Sequence, residues 1–229
     1  MKRTTLLALS VAASSIVACA TPGTRPQDMS AAGHEAAARQ EEQAAAGHLG
    51  DCSPSAQNRA VCWSSTVNPT PGQREEAERH RAAAEAHRAA SRKLLEAEAS
   101  ACAGIAEEDR DESPFAHRED IQRVTLDDRQ AEQLTARDPI GATVYFRAVP
   151  GLTQEWLQRI VDCHIARNTA LGFNVPEMAY CPLAVPGVTA QVHSLSNGFA
   201  IEMRARTAEQ ISELRRRAQA LVSTEPSTH

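Results

Sequence analysis

Residues 71–103 form the longest stretch of uniform composition in this chain, and they constrain its fold more than any other feature. The stretch consists mainly of Ala, Glu, Arg and His, and the first three of these favour the α-helix. Thr70 suits the N-cap, Pro71 suits the first helical position, and Gly104 can end the helix. At 1.5 Å per residue the helix extends for about 50 Å, which exceeds the width of a small domain.

A second Ala-rich stretch, residues 30–47, predicts a helix that can pack against the first. Together with the loop at 49–70 they make a helical region at 30–103. The alternative is a solvated, semi-flexible stalk, because large apolar side chains are few and only 3% of the chain is aromatic. The positions that would line an antiparallel hairpin are Ala32, Ala36, Ala37, Ala44, Ala45, Ala77, Ala84, Ser91 and either Ala97 or Glu98.

Residues 121–222 carry the patterns of a small α+β domain, with an acidic linker at 104–120 before it and a tail at 223–229 after it. We expect the linker to dock on the domain through Phe115. The order suits an antiparallel sheet covered by two helices on one face, which resembles ferredoxin-like modules in outline. The predicted elements are an edge strand at 121–126, a strand at 142–148, a helix capped by Thr153 with Trp156 on its apolar stripe, two further strands, and a helix capped by Thr207.

Asn197-Gly198 is the strongest local signal in this domain, because this dipeptide favours a two-residue hairpin turn. A turn at these two positions pairs Ser196 with Phe199 and Val192 with Met203. The apolar side chains of both strands then lie on one face of the sheet and the polar ones on the other.

The N-terminus combines two cations, a short apolar run and the sequence Ile16-Val17-Ala18-Cys19. These four residues resemble the lipobox of bacterial lipoproteins. The resemblance implies that residues 1–18 are a signal peptide, that Cys19 carries the lipid, and that residues 19–29 are a tether. With Ala20 next, it also implies attachment to the outer membrane, facing the periplasm. The alternative is an ordinary secreted protein that is cleaved at an Ala-x-Ala-like site.

Five cysteines remain once Cys19 is lipidated, and an exported compartment permits disulfides. Local spacing favours two pairs, Cys52–Cys62 and Cys163–Cys181. Among the first three of the five, however, three pairings are open. Cys102 is then the odd cysteine, which is either free and buried or links two molecules as a homodimer.

Two groups of side chains are candidate ligands for copper or zinc. His34, His80 and His87 lie on the predicted helices. If the hairpin forms with His48 near Gly72, His34 faces His87 and Glu41 faces His80. The competing interpretation is that these are solvated polar positions. The second group offers soft ligands, although a disulfide or a core histidine would account for its members equally: Cys163, His164, Met178 and Cys181.

Composition argues against nucleic-acid binding, because the net charge is −5 and aromatic side chains for base stacking are scarce. The sequence contains no G-x-S-x-G, no Gly-rich phosphate loop and no H-E-x-x-H. We therefore predict a non-enzymatic lipoprotein with a structural, adaptor or binding role towards a periplasmic protein partner. The alternative prediction is a periplasmic protein that binds or delivers copper or zinc.

Overall fold

The computed structural model describes residues 23–49, 69–126 and 140–223, and it has the predicted α+β class. Helix α1 (Ala31–Leu49) packs antiparallel on helix α2 (Pro71–Ala101). The hairpin prediction is therefore confirmed and the solvated stalk is wrong. Within the described parts of the chain, no helix combines the length and the hydropathy that crossing a membrane requires.

The seam between α1 and α2 is lined by small side chains that recur every seven residues. Ala38 and Ala45 of α1 are fully buried against Ala77 and Ala84 of α2. A seven-residue repeat keeps the same face of each helix towards its partner, and alanine lets the two backbones approach closely. The predicted buried face of α1 was partly wrong. Ala32 is exposed, and the positions buried against α2 are instead those at seven-residue spacing from Ala38.

The sheet has four antiparallel strands: β1 (Ile121–Leu126), β2 (Ile140–Arg147), β3 (Thr189–Leu195) and β4 (Gly198–Ala205). Their order across the sheet is β1-β2-β4-β3, so β1 is an edge strand as predicted. Helix α3 (Gln154–Ala170) lies between β2 and β3 in sequence, and helix α4 (Ala208–Ala220) follows β4. Both helices share one core with a single face of the sheet, centred on Val144, Ile201, Met203, Val161 and Leu214.

The predicted turn of the β3–β4 hairpin was wrong by one residue. Leu195 pairs with Gly198 and Val192 with Ile201, so the turn residues are Ser196 and Asn197. The register therefore differs by two residues, which leaves every side chain on its predicted face. Gly198 belongs to the strand because it pairs with Arg147 of β2, and a Cβ there would lie 1.9 Å from the Phe146 carbonyl oxygen.

Side-chain caps start three of the helices where the sequence predicts. The Thr70 and Thr207 hydroxyls accept from the backbone N–H of the glutamine three residues later, and each glutamine accepts from its threonine's N–H. Thr153 accepts from the Trp156 N–H in the same way. These contacts satisfy N–H groups that a helix leaves without partners.

Helix α3 also covers the free edge of β3. The side-chain amide of Gln158 accepts from the Val192 N–H at 2.7 Å and donates to the Ala190 carbonyl at 3.4 Å. Gln154 donates to the Val192 carbonyl at 3.0 Å. An uncovered strand edge invites pairing with other chains, so these contacts protect the β3 edge of the sheet from edge-to-edge association.

The acidic linker docks on the domain through Phe115, as predicted. Phe115 is fully buried and stacks on Phe146 of β2, with ring centroids 5.7 Å apart. This contact holds the acidic side chains of the linker beside the sheet and α3.

Candidate functional site

The helical hairpin and the α+β domain are joined by a disulfide between Cys102 and Cys163. The predicted Cys163–Cys181 pair is therefore wrong. Cys102, which was expected to be unpaired, is bonded within the chain, so its sulfur is not free to link two molecules. The pairing escaped prediction because it depends on how the end of α2 packs on α3, whereas sequence spacing favours nearby partners. Cys19, Cys52 and Cys62 lie outside the described residues.

An ion-pair network reinforces the same junction. Arg167 of α3 donates to Glu98 of α2 at 2.8 Å and to both carboxylate oxygens of Asp111 in the linker. The two carboxylates hold the pKa of Arg167 above its ordinary value. Arg167 and Glu98 are mostly buried, so this network resists solvent screening better than a surface ion pair.

The start of helix α1 lies beside the α+β domain. Ala31, at the start of α1, packs with Leu94 and with Ala170 at the end of α3. Ser30 lies so close to Gly172 that a Cβ on this glycine would be 2.8 Å from the Ser30 Cβ. The hairpin therefore extends away from the start of α1, which directly follows the predicted tether, and its far end is the tip near His48. The hairpin thus does not act as a spacer between the tether and the α+β domain, as a stalk would.

Cys181 and His164, two of the predicted soft ligands, do come together in the core. The Cys181 Sγ lies 3.3 Å from His164 Nε2 and accepts a hydrogen bond from Ser113 at 3.1 Å. Burial raises the pKa of the thiol and lowers the pKa of the imidazole to about 4. Both groups are therefore neutral near pH 7, which is the opposite of an activated thiolate–imidazolium pair. The interpretation of His164 as a core histidine is the better one.

The complete soft-ligand set does not form a site. The Cys163 sulfur is committed to the disulfide, so it cannot bind a metal as a thiolate. Met178 lines a cavity of about 410 Å³ together with His164, Asn168 and Arg167. Of the predicted sulfur ligands, a buried neutral thiol and a thioether are thus left for His164, and this prediction of a metal site loses its support.

The hairpin register brings the predicted helical histidines to their predicted partners. His34 Nδ1 lies 3.1 Å from His87 Nδ1, and both side chains are buried. His34 Nε2 contacts the Pro26 carbonyl at 3.4 Å and must donate there, so His34 Nδ1 accepts and His87 Nδ1 donates. One layer further along the seam, His80 Nδ1 lies 2.6 Å from Glu41 Oε2.

Two residues beside His80 were missed as ligand candidates. The ring of His48 stacks on the His80 ring, with centroids 5.2 Å apart, and Glu76 lies one turn before His80 on α2. Glu76 and His80 have the four-residue spacing of a helical ligand pair, and this spacing can be read directly from the sequence. His48 could be added only from the register of the hairpin.

An open groove of about 320 Å³ lies where the linker meets the end of β2 and helix α3. Its floor is apolar, and Trp156 on its wall is 39% exposed rather than buried with the helix stripe as predicted. Among the described residues that line it, three are carboxylates and none is Lys or Arg. The lining residues are Asp109, Glu112, Ser113, Pro114, His117, Asp120, Phe146, Val149, Leu152, Trp156, Leu157 and Ile160.

The chain matches no protein-family model, no curated protein and no solved structure.

Proposed function

We propose that this protein is a non-catalytic, lipid-anchored binding protein of the cell envelope, attached through Cys19 to the outer membrane and facing the periplasm. Its groove takes a segment of a periplasmic protein that carries apolar side chains next to Lys or Arg. The observation that carries the proposal is the groove itself, an apolar floor with an exposed tryptophan and an acidic rim.

The groove has the chemistry of a binding hot spot. A partly exposed tryptophan supplies a large apolar contact at little cost in side-chain entropy. Its ring also attracts cations, as the guanidinium of Arg159 at 5.7 Å from the ring centroid illustrates. Asp109 and Glu112 on the rim favour a cationic partner and disfavour an acidic one.

Attachment near the domain suits this role. The predicted tether ends next to Ser30 and Ala31, which lie beside α3, so a lipid on Cys19 would keep the domain within a short chain length of the membrane. A disulfide and the Arg167 network would keep hairpin and domain together as one unit. Metabolic labelling with a fatty acid tests the anchor: we expect the label on the wild type and none on Cys19→Ser, and equal labelling would contradict it.

Peptide titration tests the groove. In a Trp63→Phe background, Trp156 is the only tryptophan left, so its fluorescence reports binding there. We expect a short peptide of alternating Leu and Lys to change the emission saturably, and added salt to weaken the response. A peptide of alternating Leu and Glu should leave the emission unchanged.

Charge variants sharpen this test. Asp109→Asn/Glu112→Gln should weaken binding of the basic peptide about tenfold, which corresponds to roughly 1.4 kcal/mol. A matched pair on the exposed face of α2, Glu75→Gln/Glu78→Gln, removes the same charge and should have no effect. Equal responses to the basic and acidic peptides, or equal losses in both pairs of variants, would contradict the proposal.

A further inference from the structure

The tip of the helical hairpin carries a cluster of imidazole and carboxylate groups from both helices. His48 lies in the last turn of α1, and Glu76 and His80 lie one turn apart on α2. Within residues 23–49, 69–126 and 140–223, these three form the one group of His, Cys, Asp or Glu side chains whose ligand atoms all lie within 4.8 Å of one another. We propose that the cluster binds one divalent transition-metal ion, zinc or copper.

The ligand types select this class of metal. Two imidazoles and one carboxylate suit Zn²⁺ and Cu²⁺, whereas Mg²⁺ and Ca²⁺ require oxygen ligands throughout. All three side chains are partly exposed, so an ion can enter from solvent without a rearrangement of the core. Tetrahedral zinc holds its ligand atoms roughly 3.3 Å apart, so atoms that lie within 4.8 Å of one another need to close by at most about 1.5 Å.

Glu41 orients His80 as an outer carboxylate orients a metal-bound histidine. Its Oε2 lies 2.6 Å from His80 Nδ1, which leaves Nε2 of the same ring free to bind the ion. Such carboxylate–histidine pairs fix the ring and increase its strength as a ligand. The two negative charges of Glu41 and Glu76 together balance the charge of a divalent cation. The bound ion would then link α1 to α2.

Arg79 competes weakly for Glu76. It forms an ion pair at 2.5 Å with one oxygen of this carboxylate, and both side chains are substantially exposed. Pairs of this kind contribute little to stability, so the metal can displace or share the carboxylate at small cost.

This site does not rest on the proposed groove function. The cluster lies at the hairpin tip, whereas the groove lies on the α+β domain, and the two have no residue in common. Metal affinity and peptide binding are therefore separate measurements, and either one can fail without the other.

The test uses the full-length chain without an affinity tag. It is titrated with zinc chloride or copper(II) chloride in competition with a chromogenic chelator. We expect one ion per chain for each of these metals, and no displacement by magnesium chloride. Binding should raise the thermal unfolding temperature, because the ion joins the ends of two helices.

Variants assign the binding to the cluster. His48→Asn/Glu76→Gln should weaken zinc binding by about 100-fold or more, and Glu41→Gln by about 10- to 100-fold, the usual cost of losing an outer partner. The matched control is His193→Asn/Glu202→Gln, which removes a partly exposed histidine–glutamate pair from the β3–β4 hairpin and should keep the wild-type affinity.

Retention of affinity in the cluster variant, or an equal loss in the control, would overturn the proposal. Circular dichroism checks that helix content is unchanged in each variant. If the cluster variant loses helix, X-ray absorption of the zinc-loaded wild type decides the matter. Two imidazole nitrogens beside an oxygen ligand support the site, and a shell of oxygens alone contradicts it.

Discussion

His164 and Cys181 are held as a neutral pair in the core of the α+β domain. Their contact at 3.3 Å uses the imidazole Nε2, and both side chains are nearly inaccessible to solvent. Burial penalises the imidazolium and the thiolate alike, so neither charged form is favoured at pH 7. The pair therefore contributes packing and polar contacts rather than reactivity.

The lowered pKa of His164 predicts acid sensitivity. An imidazole in the unfolded chain titrates near 6.5, whereas burial lowers the folded value to about 4. Between these two values the unfolded state binds a proton that the folded state does not. Stability therefore falls as the pH is lowered through this window, by about 3 kcal/mol in total.

Urea unfolding at pH 7 and pH 4 measures this effect. In His164→Gln the loss of unfolding free energy between the two pH values should be smaller than in the wild type by about 3 kcal/mol. The exposed His117 offers the control, and His117→Gln should behave like the wild type. An identical loss in the wild type and His164→Gln would show that His164 does not titrate as proposed.

At the scale of helices, the hairpin seam alternates alanine layers with polar layers. His34 and His87 form one polar layer and Glu41 and His80 the next. The seven-residue spacing of these side chains is visible in the sequence, so the partners could be predicted once an antiparallel hairpin was assumed. The sequence could not exclude the stalk, because a high alanine content predicts that a helix forms but says little about whether that helix packs against another one.

The His34–His87 layer predicts strong coupling between two buried residues. His87→Leu leaves the buried His34 Nδ1 without a donor, which should cost about 1–3 kcal/mol of unfolding free energy. Removing both polar groups in His34→Leu/His87→Leu should restore most of that loss. Chemical denaturation of the two single variants and the double variant measures the coupling. If the loss of unfolding free energy in the double variant equals the sum of the losses in the two single variants, the two histidines are not coupled through this contact.

The β3–β4 hairpin shows where local rules reach their limit. Asn197-Gly198 predicted the hairpin and the faces of both strands correctly, but it placed the turn one residue too late. The register was wrong because Gly198 is needed inside β4, where the carbonyl of Phe146 approaches it from β2. Contact with a third strand thus overrode the turn preference of two residues.

For the molecule as a whole, the caps, the helices, the strands and the linker anchor Phe115 follow from local patterns. The disulfide, the groove and the position of the start of α1 beside α3 do not. Each depends on how the hairpin and linker pack on α3, and no spacing in the sequence encodes that arrangement. Trp156 illustrates the difference: its helical position predicts burial, yet the linker leaves it on the wall of an open groove.

The Cys102–Cys163 bond predicts a large contribution to global stability. It closes a loop with a sequence separation of 61, for which chain entropy gives about 4 kcal/mol at 25 °C. Cys102→Ala/Cys163→Ala should therefore unfold at a clearly lower urea concentration than the wild type. Peptide mapping of the non-reduced protein should recover the two cysteines in one linked pair, whereas a Cys163–Cys181 linkage would contradict the structure.

The same bond turns the middle of the chain into a closed covalent ring. The acidic linker, β1, β2 and the first half of α3 all lie between its two cysteines. A protease that cuts the backbone once inside this ring produces two pieces that stay connected through sulfur. A molecule held at its N-terminal end would then keep its C-terminal half after such a cut, until a reductant opened the ring.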